Sequence, residues 1–330
     1  MTDSTDLFAD SLFADHLVAA RAVLDELGLT ELPSAGRPIS GHKTSLPIPC
    51  VGRDGSMFLL KYFVPPAESR FYPPEVRVAD YARRESGFYR LLDTLDRDRH
   101  RLPAPRTILL DHADPPRWLL LQRIPPAAGP VEETLSVDHV FSLLESMRWI
   151  RPEVLLGRRD FPVNRWDVVS YLDRVRMMYE EVLPVIGERR WPRVLNVLGE
   201  ALKWTESRPH GLVHGDFTES NIVVDPDGNA FLIDFERVGA GNPDHDIAWF
   251  WAHSNRTEAW RTRLLARYFG DRVGSTRIAC EWGMRATLIY LALRRLRFGH
   301  LASTDSEPQR TANLDLLDRS LDGGAALFPM

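Results

Sequence analysis

The sequence predicts an α+β protein of two lobes, an antiparallel-sheet lobe with one key helix over residues 1–123 and a larger helical lobe over residues 124–330. Three observations carry this prediction. Strand-like runs bounded by turn residues fall before residue 124. Ile124-Pro125-Pro126-Ala127-Ala128-Gly129-Pro130 is a Pro-rich break and reads as the boundary. Beyond it, apolar residues recur at helical spacing almost throughout, apart from one β-rich island at 211–234.

From Asp6 to Leu27 the apolar spacing predicts an N-terminal helix or helix pair, closed by Gly28. Residues 57–63, Met-Phe-Leu-Leu-Lys-Tyr-Phe, read as a strand entered through the turn at residues 52–56. Arg106–Asp111 and Arg117–Arg123 read as a hairpin, with a helix over 76–95 before it. Downstream, 137–150, 165–183, 191–207, 257–269 and 276–298 read as helices.

Composition removes several classes of function. A net charge of −5 leaves no basic surface to collect the phosphates of a nucleic acid. The two cysteines, Cys50 and Cys280, form neither a disulfide framework nor a zinc motif and fit a reducing cytoplasm. The start, Met1-Thr2-Asp3-Ser4-Thr5-Asp6, is acidic where a signal peptide is basic. The apolar run Ala286–Leu293 is too short to span a bilayer. The expectation is a soluble, cytoplasmic protein, a monomer or homodimer without membrane or nucleic-acid partners.

The island holds the chemistry. The short strand Gly211-Leu212-Val213 leads into His214-Gly215-Asp216-Phe217-Thr218-Glu219-Ser220-Asn221 and then into Ile222-Val223-Val224. Asp225-Pro226-Asp227-Gly228-Asn229 is a turn signal, so 221–225 and 230–234 form a hairpin. If Asp225 pairs with Ala230, Asn221 lies opposite Asp234, at the ~5 Å between Cβ atoms of directly opposed residues. An amide oxygen and a carboxylate so placed suit a hard divalent cation that keeps water and phosphate ligands, for which magnesium is the natural candidate. Asp216 opens the same loop, placed to take or orient the proton of an attacking hydroxyl.

The order D-x-x-x-x-N, strand, turn, strand, D is the layout of protein-kinase-like enzymes. With His214-Gly215-Asp216, Asn221, Asp234-Phe235-Glu236 and the downstream Gly241-Asn242-Pro243-Asp244-His245-Asp246, the chain resembles the aminoglycoside phosphotransferase and choline kinase superfamily. Protein kinases usually read H-R-D and D-F-G. Gly215 and Glu236 replace the second and third of those positions and favour a small-molecule acceptor. The resemblance implies a two-lobed protein-kinase-like fold, Asp216 as catalytic base, Asn221 and Asp234 as metal ligands, and His214 and Asp246 as braces of the loop. It implies a nucleotide triphosphate, ATP or GTP, as donor and Mg²⁺ as cofactor.

Such a fold needs a cation on the nucleotide phosphates and a carboxylate to hold that cation. Lys61 shares its strand face with Leu59 and Phe63, an unusual place for a lysine. Glu85 interrupts the stripe Val78, Tyr81, Phe88, Leu92 and Leu95 on the next helix. An ion pair between them explains both anomalies. Ser40, Thr44 and Ser45 are the candidates to cap the phosphates, and Gln122 and Ile124, in Leu121-Gln122-Arg123-Ile124, to meet the base through backbone groups.

Trp249 and Trp251 read as helix core. Glu219, Glu258, Asp271 and Glu281 are acidic candidates for holding a cationic substrate, although such side chains usually face water. Arg294, Arg295 and Arg297 read as a solvated helix face, with contact to an anionic substrate as the alternative. The favoured substrate is a hydroxyl-bearing antibiotic, aminoglycoside-like or otherwise sugar-bearing. The alternatives are a metabolic kinase of an amino alcohol, sugar or lipid head group, and a catalytically silent binding protein.

Overall fold

A computed structural model describes residues 4–33, 44–64, 78–95, 102–156, 161–270, 272–302, 306–323 and 327. The chain divides into two compact units, Met1–Arg99 with Ala104–Pro125, and His100–Pro103 with Pro126–Met330.

The first unit is built on α1 (Ser4–Glu26), β1 (Thr30–Glu31), β2 (Ser45–Val51), β3 (Met57–Phe63), α2 (Val78–Thr94), β4 (Thr107–Leu110) and β5 (Trp118–Gln122). Its strands form one antiparallel sheet in the order β1-β2-β3-β5-β4. Ala20, Val23 and Leu24 of α1 share a core with Leu46, Ile48 and Cys50 of β2, and with Leu60 and Leu120. Strand alternation therefore turns Leu59, Lys61 and Phe63 to the opposite face. β2 forms despite Pro47 and Pro49. The two are two residues apart, so their missing N–H groups fall on one side of the strand, which β1 covers only at Cys50 and Val51. On α2 the buried residues Tyr81, Ala82, Glu85, Phe88 and Tyr89 recur at helical steps.

The second unit begins with α3 (Val131–Thr134), α4 (Val137–Arg148) and α5 (Glu153–Leu156). Residues 165–183, read from the sequence as one helix, are β6 (Asn164–Trp166), α6 (Val168–Met177) and α7 (Tyr179–Ile186). The Asp167 side chain accepts from Ser170 N at 2.8 Å and starts α6 there, which leaves the preceding residues extended. Next come α8 (Arg190–Thr205), β7 (Gly211–Val213), β8 (Ile222–Val224), β9 (Ala230–Leu232) and β10 (Gly239–Gly241). β6, β10 and β7 form a three-stranded sheet, and β8 and β9 a separate hairpin. The unit ends with α9 (His245–His253), α10 (Glu258–Phe269), α11 (Gly274–Ala302) and α12 (Glu307–Asp322).

α11 is the axis of this unit, in contact with α6, α7, α8, α9 and α12. That surrounding explains the uninterrupted apolar stretch Ala286–Leu293, a helix segment buried on all sides by protein. Among the described residues no helix is long and apolar enough to cross a membrane.

Candidate active site

The loop that carries Asp216 leaves β7 at Val213 and is fixed from α9. Asp246, in the first turn of that helix, accepts from His214 N at 2.8 Å and from Gly215 N at 3.0 Å, one bond to each carboxylate oxygen. One buried carboxylate thus orients two consecutive peptide planes immediately before Asp216. Burial pushes the pKa of Asp246 up to about 7 against the pull of those two donors.

The His214 ring is locked as well. Its Nδ1 accepts from Asp216 N at 3.3 Å, so Nε2 carries the hydrogen and donates to Ile233 O at 3.0 Å. The bond accepted at Nδ1 requires the neutral ring, and burial holds its pKa below the usual value. Gly215 adopts φ +79°, and a Cβ there would lie 2.5 Å from Arg237 O and 2.7 Å from the Trp166 ring. The position has no room for a side chain, which accounts for glycine between His214 and Asp216.

The hairpin register differs from the sequence reading by one residue. Asp225 N donates to Asn229 O at 2.9 Å, the Asp225 side chain accepts from Asn229 N at 2.7 Å, and Gly228 takes φ +80°. The turn therefore closes on Asn229 as a three-residue loop, not on Ala230. Ile222 pairs with Leu232 and Val224 with Ala230, so Asn221 faces Ile233, whose N–H donates to Asn221 O at 3.0 Å. Asp234 follows that contact at φ 69°, a left-handed conformation among non-glycine residues that short polar side chains tolerate best.

Asn221 Nδ2 donates to Asp216 O at 2.8 Å and to Asp216 Oδ2 at 3.3 Å. With its NH₂ so committed, the amide presents Oδ1 as an acceptor. Asp234 and Glu236 carry carboxylate oxygens within 4.8 Å of each other. The two carboxylates are hard oxygen donors of the kind that fits magnesium, and Asn221 Oδ1 is a donor of the same kind. Glu236 was not among the expected ligands. Its position two residues after Asp234 was the available signal.

In the first unit, Lys61 Nζ lies 2.6 Å from Glu85 Oε2, with the Glu85 side chain wholly buried and that of Lys61 9% exposed. Ser45 and Thr44 are both buried. Ser45 opens β2 opposite Phe63, and Thr44 accepts Val64 N at 2.8 Å through its carbonyl. Gln122 ends β5 and donates its backbone N–H to Arg106 O at 2.8 Å, with half-buried Ile124 two residues on. Ser40 lies outside the described residues, as does Asp271.

Trp249 and Trp251 are buried in α9. Glu219 accepts from Ser254 Oγ at 2.7 Å and pairs with Arg256, Glu281 pairs with Arg277, and Glu258 is exposed. The expected solvated face of Arg294, Arg295 and Arg297 is half-buried, because α7 and α9 pack against this side of α11. Arg295 donates to Ala252 O at 3.1 Å, and Arg297 forms an ion pair with Glu181. Sequence reasoning missed Arg237, whose Nη1 lies 3.5 Å from Asp216 Oδ1. Nothing in its local pattern marks it, since the contact depends on the turn after Asp234.

An acid on a braced loop, an amide five residues later, a hairpin and a second acid are the parts of an enzyme that moves a phosphoryl group onto an alcohol. The comparison of sequence agrees with this class. The profile of the phosphotransferase enzyme family matches residues 52–278, and the chain belongs to that family. No curated protein matches it.

Solved structures share the fold. A thermostable mutant of aminoglycoside phosphotransferase APH(4)-Ia, in ternary complex with ADP and hygromycin B, aligns at 15% identity and TM-score 0.59, over 93% of this chain and 98% of that one. The GDP complex of a mutant aminoglycoside 2′-phosphotransferase-IIIa aligns at 13% and 0.59, over 92% and 97%. Choline kinase LicA from Streptococcus pneumoniae aligns at 13% and 0.57, over 94% and 99%. The shared architecture is an N-terminal antiparallel-sheet part followed by a larger helical part, the kinase-like fold of aminoglycoside phosphotransferases.

Proposed function

We propose that this phosphotransferase moves the γ-phosphoryl group of ATP or GTP onto a hydroxyl of a small molecule, with Asp216 as the base. The observation that carries the reading is the fixation of Asp216 from three sides: Asp246 on the two preceding amides, Asn221 on its carbonyl and Oδ2, and Arg237 beside Oδ1. A carboxylate so held takes the acceptor's hydroxyl proton at a constant position as the oxygen attacks.

Asn221 and Asp234, with Glu236 beside Asp234, would hold magnesium. A metal ion bound there would neutralise the charge on the transferring phosphoryl group and on the leaving diphosphate. Lys61, oriented by Glu85, binds the nucleotide phosphates, and Ser40, Thr44 and Ser45 supply the loop over them. Gln122 and Ile124 meet the nucleotide base through backbone groups. His214 ties the catalytic loop to the hairpin strand that precedes Asp234. Both cysteines are free and buried, in keeping with a cytoplasmic setting.

For the acceptor, hygromycin B in one structural neighbour supports a sugar-bearing antibiotic, and the likeness to a choline kinase supports a metabolite. Mass spectrometry of a panel of hydroxyl-bearing antibiotics and metabolites, after incubation with enzyme, Mg²⁺ and ATP or GTP, decides between them, with Asp216→Ala as control. A gain of one phosphoryl group that the variant abolishes supports the reading and names donor and acceptor. No product with either nucleotide would leave the catalytically silent binding protein as the better account.

A further inference from the structure

Two of the four carboxylates that the sequence offered to a cationic acceptor are engaged within the fold, Glu219 by Arg256 and Glu281 by Arg277. Arg237 stands beside Asp216 instead, and two aromatic rings link it to further arginines. The Arg174 guanidinium lies 4.7 Å over the Trp166 ring, and that of Arg237 lies 5.2 Å from Trp166 and 5.1 Å from Trp249. Arg294 lies 5.5 Å from the same Trp249 ring. The five residues come from β6, α6, the turn after Asp234, α9 and α11, so the cluster is assembled by the tertiary fold.

The rings hold the arginines in place without removing their charge. Arg174 donates to a carbonyl, Arg165 O, at 2.9 Å, hydrogen-bonds Tyr290 and lies 5.7 Å over the Tyr290 ring. The field is visible at Tyr290. Burial raises its pKa, yet Arg174, Arg294 and Arg237 bring it below the ordinary phenol value. Arg295, lowered first by burial, is lowered further by Arg294. Arg174 and Arg294 thus add positive charge around the Arg237–Asp216 pair, and an anion among them gains charge-assisted hydrogen bonds.

We propose that the acceptor carries an anionic group, a carboxylate or a phosphate, which docks on Arg174, Arg237 and Arg294 beside Asp216 and so sets which hydroxyl reaches the base. The identification of the bound anion as part of the acceptor rests on the phosphotransferase reading, whereas the anion site itself does not. Such a site disfavours polycationic aminoglycosides and selects hydroxy acids or phosphorylated alcohols.

The test uses sulfate as the probe, titrated calorimetrically into the full chain saturated with Mg²⁺ and AMP-PNP, so that nucleotide phosphate sites are filled. Sulfate is expected to bind, Arg294→Gln to weaken it by roughly tenfold to hundredfold, as for loss of one charge-assisted hydrogen bond, and Arg294→Lys to restore most of the affinity. Absence of sulfate binding, or wild-type affinity in a folded Arg294→Gln variant, would overturn the proposal.

A parallel phosphotransfer screen covers hydroxy acids, sugar phosphates, neutral sugars and amino alcohols. Turnover of either acidic class, with acceptor KM raised by Arg294→Gln and nucleotide KM unmoved, supports the proposal and tells carboxylate from phosphate. Turnover of neutral or amino acceptors alone, with KM unmoved by Arg294→Gln, sinks it and leaves the phosphotransferase reading intact. Arg294-dependent sulfate binding without transfer to any acceptor keeps the anion site and removes the phosphotransferase reading.

Discussion

A single amide group of Asn221 holds Asp216 twice, Nδ2 donating to its carbonyl at 2.8 Å and to its Oδ2 at 3.3 Å. The residue proposed for the metal is therefore also in contact with the proposed base. Asn221→Ala is expected to lower kcat by about 10-fold to 100-fold, as losses of ligand-orienting groups do. Combined with Asp216→Ala it should cost little more than Asp216→Ala alone, because the two act as one unit. Additive losses in a double-mutant cycle would contradict the coupling.

Gly215 is constrained by contact as well as by backbone. Gly215→Ala places a methyl group against Arg237 O and the Trp166 ring at a positive φ. Overpacking and the left-handed penalty together predict a loss of about 2 to 4 kcal/mol, measured by urea unfolding. Wild-type stability would show that the loop has slack that the geometry denies.

The Lys61–Glu85 pair separates stability from function. Glu85→Gln removes the charge of the carboxylate 2.6 Å from a nearly buried ammonium and should cost about 3 kcal/mol. Lys61→Met combined with Glu85→Leu should bring stability back to within about 1 kcal/mol of wild type while phosphotransfer stays lost. Recovery of activity in the double variant would remove Lys61 from the nucleotide site.

Buried histidines set an acid limit. Burial and the Arg295 guanidinium push His253 down to about 4, and burial lowers His214 and His245 as well. Each is neutral in the folded chain and charges on unfolding. Between the unfolded value near 6.5 and the depressed folded values, the unfolded state binds more protons, so the stability these histidines contribute falls as pH drops through this window. His253 alone accounts for a loss on the order of 3 kcal/mol by pH 4. Asp246, raised to about 7 by burial, acts in the opposite sense over the same window, so the histidine contribution is read as the difference between wild type and His253→Gln in urea unfolding from pH 7.5 to pH 4.5. The wild type should lose stability relative to His253→Gln as pH falls, and a difference that does not change with pH would contradict the assignment.

What the sequence made legible was local. His214-Gly215-Asp216, Asn221 and Asp234 occupy one stretch of chain, so their order and the strands around them were readable as a pattern. The register was lost by one residue because the Asp225 side chain, which no propensity weighs, closes the turn on Asn229. β10 was missed because Gly239-Ala240-Gly241 has no strand-forming side chain. Its glycines serve close approach to β6, where a Cβ at Gly239 would lie 2.2 Å from Asn164 O. The arginine and tryptophan cluster was out of reach for another reason: its members lie on five elements, and only the packed fold brings them together. Lys61 and Glu85 were legible despite their separation, because each broke an apolar pattern and together they repaired it.

The most direct test is turnover by Asp216→Ala on an accepted substrate with saturating Mg²⁺ and nucleotide, alongside Asp234→Ala. The account predicts a fall in kcat of about 10² to 10⁴ for Asp216→Ala, the usual range for a general base. For Asp234→Ala it predicts near-complete loss of metal-dependent activity in a folded protein. Full turnover by Asp216→Ala would contradict its role as the base, and with it the central claim.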